Sequence, residues 1–210
     1  MRTVLAVLAL GTLPIGVAAQ DATDHCSAFP QVQTGQWSGY QVTSPQFKGP
    51  AAMRFAIFGN EESEGIEHIW YELKMDATEG SMVMQFLVPG YPYDVAQVKT
   101  IIMKAGDQPA MKMPEQMLGM MRSRLPKDFA GDAARSCGDA EVVGWEDVTV
   151  PAGNFNALHL RTKDGDAWVS PDVPFGMVKF TGASGNLVLT GHGADATSSI
   201  KEKPMEMPGM

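Results

Sequence analysis

Methionine is the residue type in this chain with the most chemistry to place. There are 15 in 210 residues, and they are not evenly spread. Met111, Met113, Met117, Met120 and Met121 form one cluster, and Met205, Met207 and Met210 end the sequence. A thioether side chain is flexible and polarizable, so a methionine-rich element can fill a core or offer an adaptable apolar surface. The same sulfur is a soft donor, and M-x-M or M-x-x-M spacing could hold Cu(I) or Ag(I). At the mid-chain cluster all three readings stand open. The terminal group is the better candidate for a soft ion. No resident metal or cofactor is expected.

The remaining chemistry-bearing residues are sparse. Cys26 and Cys137 are the two cysteines, and in an oxidising compartment they most simply form one disulfide. Closing so long a loop is worth on the order of 4–5 kcal/mol in the chain-entropy account. Histidines stand at 25, 68, 159 and 192 with no metal-ligand spacing between them. His68 shares a strand face with Trp70, and His159 shares one with Arg161. Both pairs read as polar outer faces of strands. Gly182-Ala183-Ser184-Gly185-Asn186 resembles a nucleophile elbow until Asn186, but it lies between strands and reads as a hairpin turn. Phosphate-loop, dinucleotide and H-E-x-x-H patterns are missing from the sequence. The expectation is a protein that is not an enzyme.

These residues must be positioned mainly by strands. Ile69, Tyr71, Leu73 and Met75 alternate with His68, Trp70, Glu72 and Lys74, and Met82, Met84, Phe86 and Val88 follow beyond a Glu79-Gly80 turn. Met53, Phe55 and Ile57 form an earlier run; 37–43 opens the series and 98–104 closes its first half. Further runs cover 142–150, 154–162, 167–170, 177–181 and 187–190, punctuated by Asp164-Gly165 and Ser184-Gly185-Asn186. About nine short strands with Gly-rich turns predict a mainly β, antiparallel curved sheet or half-open barrel. Between them Pro114-Glu115 opens a helix carrying Met117, Met120, Met121 and Arg124, which ends before Pro126. A second short helix is a weaker expectation over 128–135.

The first 19 residues read as a secretory signal: Arg2, an apolar stretch from Val4 to Val17, and Val17-Ala18-Ala19 for cleavage. The protein is then periplasmic or secreted. Residues 20–193 would form a single half-barrel-like domain, and 194–210 a flexible tail containing Met and Pro. The net charge is −8, which disfavours nucleic acid as a partner. No stretch reads as a membrane-spanning helix.

Two phrases in the second half carry a resemblance. Val148-Thr149-Val150-Pro151-Ala152-Gly153-Asn154-Phe155-Asn156-Ala157 matches a V-P-A-G-x-F-x-A strand–turn–strand phrase. Trp168-Val169-Ser170-Pro171-Asp172-Val173-Pro174-Phe175-Gly176-Met177-Val178-Lys179 matches W-x-S-x-x-V-P-x-G-x-V-K. Over about residues 144–192 the chain resembles uncharacterised exported bacterial proteins similar to the LolA/LolB-like lipoprotein carriers. The resemblance implies a half-barrel whose concave side can shelter acyl chains, and it transfers no catalytic residue. Combined with the methionine helix, it predicts a hydrophobic or lipid ligand held by Met113, Met117, Met120, Met121, Trp70 and Phe86. A soft-metal protein using the methionine clusters is the alternative, and an envelope protein that pairs with a partner by a strand edge is a further one.

Overall fold

Period-two alternation with two-residue turns builds long antiparallel hairpins, and these dominate the computed structural model. It describes residues 31–124 and 139–206, with the side chains of 121–124 excepted. Cys26, Cys137, the signal sequence and the expected helix over 128–135 lie outside the described residues.

The first run of strands is β1 (Trp37–Thr43), β2 (Ala51–Ser63), β3 (Ile66–Ala77), β4 (Gly80–Val88) and β5 (Thr100–Ala105), followed by the short β6 (Met111–Lys112). One helix, α1 (Glu115–Arg124), comes next, as the Pro114-Glu115 opening predicts. The second run is β7 (Glu141–Val150), β8 (Gly153–Thr162), β9 (Gly165–Val169), β10 (Met177–Gly182) and β11 (Gly185–Gly193). A last short strand, β12 (Met205–Glu206), closes the described chain. All twelve join one sheet in the order β12-β6-β5-β4-β3-β2-β1-β11-β10-β9-β8-β7. Every pairing is antiparallel except that of β12 with β6. The sheet is open and does not close into a barrel.

Local chemistry explains the hairpins. Glu64 and Gly65, both at positive φ, make the two-residue β2–β3 turn whose twist suits the flanking strands. The sequence places the β3–β4 turn at Glu79-Gly80; it is Thr78-Glu79, and Gly80 already pairs with Ala77. The same displacement recurs at Gly165 and Gly185, which start strands. A Cβ on Gly165 would meet Thr181 O at 2.3 Å, and one on Gly185 would meet Thr43 O at 2.2 Å, so close strand approach requires glycine there. Register shifts in β1, β2, β7 and β10 add curvature. At the far end β7 bends inward, with Val148 and Val150 packed on Tyr40, Val178 and Leu189. Ala152 N donates to Leu189 O at 3.2 Å, fixing the β7–β8 turn to β11.

The sheet therefore has an inner and an outer face. Of the expected flexible tail over 194–210, residues 207–210 lie outside the described residues, and 194–206 form a strap across the outer face. Ala196 and Ile200 are buried, and Ile200 packs with Val83, Ile102, Ala110 and Trp70. The fully buried Glu72 is the anchor. Its carboxylate accepts from Ser199 N at 2.8 Å, Ser199 Oγ at 2.7 Å and Gln85 Nε2 at 2.7 Å, and pairs with Arg54 Nη1 at 3.4 Å. Gln85 Nε2 also donates to Ser198 Oγ at 2.7 Å, and Trp37 Nε1 to Asp195 Oδ1 at 2.7 Å. The sequence hides this strap because its polar partners Trp37, Glu72 and Gln85 lie more than a hundred residues earlier and it has almost no strand of its own.

Removing the anchor leaves buried donors without an acceptor. Glu72→Ala is expected to cost about 3 kcal/mol or more in chemical denaturation, in line with breaking a buried charged network. It should also make 194–206 the first site of limited proteolysis.

Candidate ligand-binding face

The register of the hairpins gathers methionines that are distant in sequence. Directly opposed residues in an antiparallel pair point to the same face. Met53 stands opposite Met75, and Met75 opposite Met82, which makes one row across β2, β3 and β4. Met84 stands opposite Met103, Met103 opposite Met111, and Met111 beside Met205, which makes a second row across β4, β5, β6 and β12. Met82 and Met84 are two apart on β4, so the rows adjoin on the inner face. Met53, Met75, Met82, Met84, Met103 and Met111 are half-buried, and Met205 is exposed. One end of the inner face is thus paved with partly exposed thioethers.

The other end is filled. Tyr71 and Phe86 rise from β3 and β4, and Tyr91 and Tyr93 come over them from the loop before the 3-10 turn Val95–Gln97. Asp94 and Gln97 form a capping box that fixes that turn. Phe175 enters from the second half of the sheet and meets Tyr91 edge-on at 5.0 Å, with Phe55 at 5.8 Å and Tyr71 at 6.1 Å. Phe175 has φ 64°, an uncommon conformation for a bulky side chain, followed by Gly176 at φ 78°. Ser170 N to Gly176 O and Gly176 N to Val173 O, both 2.8 Å, hold the loop in that shape. The Val-Pro-Phe-Gly phrase therefore delivers a ring that links the two halves of the inner face.

Burial pushes the Tyr71 hydroxyl well above its ordinary pKa, with Tyr91, Tyr93 and Tyr40 adding to the effect. Burial likewise raises Tyr40, Tyr91 and Tyr93. These phenols stay neutral at any physiological pH and act only as hydrogen-bonding groups. Tyr40 donates to Met177 O at 3.1 Å. The enclosed Tyr71 hydroxyl makes no hydrogen bond among the described residues.

The sequence-predicted set divides over this geometry. Met113 and Leu118 are buried beside Tyr71, Val88, Tyr93, Val98 and Ile101, with Phe86 and Met117 packed against them. The interval between α1 and the sheet is a packed core at this point and not an open groove. Met120 is exposed, and the side chain of Met121 lies outside the described residues. Trp70 does not join this group. Its neighbour Tyr71 stands opposite Phe86, so alternation sends Trp70 to the outer face, stacked on Phe58 with Nε1 2.9 Å from Glu61 Oε2. Sequence reasoning missed the two rows because each methionine was legible only within its own strand. A correct β3–β4 turn would have paired Met75 with Met82.

One polar convergence does form. His159 stacks on Trp168 at 4.5 Å, and Lys179 Nζ lies over the same indole at 4.5 Å. His159 Nδ1 is 2.9 Å from Glu146 and Nε2 is 2.8 Å from Asp166, which Arg161 also reaches at 3.2 Å. Trp168 Nε1 donates to Glu146. These groups satisfy one another across β7 to β10, as cross-strand pairs do. Among the described residues, no set of three His, Cys, Asp or Glu could hold a metal ion. No described helix is long and apolar enough to cross a membrane.

Two measurements follow from this geometry. Tyr71→Phe removes a buried hydroxyl that makes no hydrogen bond among the described residues, so thermal unfolding should show stability equal to the parent or up to about 1 kcal/mol higher. Clear destabilisation would contradict the assignment. The hydrogen bond from His159, aided by Arg161, holds the Asp166 carboxyl below its usual range. A depressed carboxylate contributes stability that is full above its unfolded pKa, about 3.9, and is lost as pH falls through the folded value. Asp166→Asn should therefore lower the melting temperature at neutral pH, with the difference shrinking toward zero in acid.

No family model matches the chain, and no curated protein matches it in sequence. Solved structures do. One is of a protein described as exported, with a YmcC-like fold, from Bacteroides fragilis NCTC 9343; it is 14% identical, with a TM-score of 0.36 over 79% of this chain and 98% of that one. Another is of a protein described as a lipoprotein from Parabacteroides distasonis ATCC 8503; it is 13% identical, with a TM-score of 0.37 over 79% of this chain and 97% of that one.

Proposed function

We propose that this chain is an exported, non-enzymatic protein of the cell envelope that shelters an apolar ligand, such as an acyl chain or a lipid-modified partner. The ligand lies on the methionine-paved end of the inner face. The observation that carries this reading is the pair of adjoining cross-strand rows, Met53–Met75–Met82 and Met84–Met103–Met111–Met205. Half-buried thioethers side by side can re-pack around a flexible chain, which rigid branched side chains do less well. The secretory reading of residues 1–19 and the net charge of −8 agree with a role outside the cytoplasm that does not depend on binding anionic surfaces. The packed aromatic end serves as a fixed wall, and Phe55 packs against both it and the core around Tyr40, Val178 and Leu189.

A fluorescent fatty-acid probe, titrated into delipidated protein, tests this. Met84→Lys puts a charge in the middle of the rows and should weaken binding at least about tenfold, or 1.4 kcal/mol. Met84→Leu keeps volume and apolarity and should retain it. Absence of probe binding by the parent, together with no acyl species released on solvent extraction, would contradict the proposal.

A further inference from the structure

The strap and the second methionine row meet at the edge of the sheet. β12 pairs in parallel with β6, setting Met205 beside Met111, which itself faces Met103 on β5. Three thioethers thus occupy one register position on three successive strands, and Met84 continues the row on β4. We propose that Met103, Met111 and Met205 form a binding site for a soft monovalent ion, Cu(I) or Ag(I), with Met84 available as a fourth donor.

Cross-strand neighbours have Cβ atoms about 4.5–5.5 Å apart, and methionine's three rotatable bonds let sulfurs at that spacing converge on a single ion. All the donors are neutral thioethers. Such a set discriminates against Mg(II), Ca(II) and Zn(II), which take oxygen, nitrogen or thiolate ligands, and favours a soft monovalent cation. The charged neighbours Lys104, Lys112, Glu202 and Glu206 do not compete as ligands. They pair with one another, Lys104 with Glu202 and Lys112 with Glu206 at 3.4 Å. Those pairs, with Met205 N donating to Ala110 O at 2.8 Å, hold the strap so that Met205 stays in register. Met205 is 50% exposed, so an ion can reach the site without opening the sheet.

This site differs from the apolar-ligand reading in one respect: it needs sulfur and not merely an apolar side chain. Native mass spectrometry and calorimetric titration with Ag(I) compare the full-length parent with a Met103→Leu/Met111→Leu/Met205→Leu variant. The parent is expected to bind one more Ag(I) tightly than the variant, whose affinity at the site falls by about 100-fold or more. Titration with Zn(II) should show no such difference. X-ray absorption of the Cu(I)-loaded parent should show a shell of sulfur alone. Equal Ag(I) stoichiometry and affinity in the two proteins would overturn the proposal. Fatty-acid probe binding, measured on the same variant, should persist because leucine preserves the apolar surface, so failure of the metal site and failure of the carrier reading give separate results. Met205→Leu alone leaves the paired core strands untouched and gives the same comparison if the triple variant folds poorly.

Discussion

Everything in this molecule rests on the pairing of β1 with β11. Each run of strands taken alone would leave two long edges with unsatisfied backbone groups and a half-covered apolar face. Seven residues of β1, from Trp37 to Thr43, pair with β11 from Gly193 back to Asn186, and this merges both runs into one sheet. Gly185 permits the approach because any side chain there would strike the backbone at Thr43. Once the two runs are joined, Tyr40 on β1 can pack with Val178, Leu189 and the inward-bent β7, while Phe55 bridges toward Tyr71.

The merged sheet treats its two faces differently. On the outer face a buried carboxylate, Glu72, collects two serine groups, a glutamine and an arginine, and so fixes the strap. A buried charge is tolerated there because nearly all its acceptor capacity is used. On the inner face no charge takes part. Aromatic rings fill one end and partly exposed methionines pave the other. The strap connects the two faces: its serines lie against Glu72 on one, and its last described residues bring Met205 to the end of a row on the other.

Much of this was legible in the sequence. Alternation gave the long strands of both runs, and Pro114-Glu115 and the methionine spacing gave the position of α1. What failed were chiefly the non-local facts. Trp70 and Phe86 were grouped as large apolar residues on neighbouring strands, but alternation within β3 already sets Trp70 with His68 on the face opposite Tyr71, and the pairing of Tyr71 with Phe86 keeps it there. The strap looked unpacked because Ser198-Ser199 and the prolines carry no period; their order comes from Glu72, on a strand far earlier in the chain. The methionines were noticed where they cluster in sequence, at 111–121 and 205–210. Those on the helix that the structure describes, Met117 and Met120, cover the core or face solvent. The strand methionines become a surface only through the sheet order.

Methionine oxidation footprinting tests the central claim most directly, because thioether reactivity reports access at each sulfur. In delipidated protein, Met53, Met75, Met82, Met84, Met103 and Met111 should oxidise readily with peroxide, while the buried Met113 should resist. Adding a fatty acid should protect these six half-buried row methionines together and leave the exposed Met120 unchanged. Unchanged oxidation of the rows in the presence of a bound acyl chain would contradict the account.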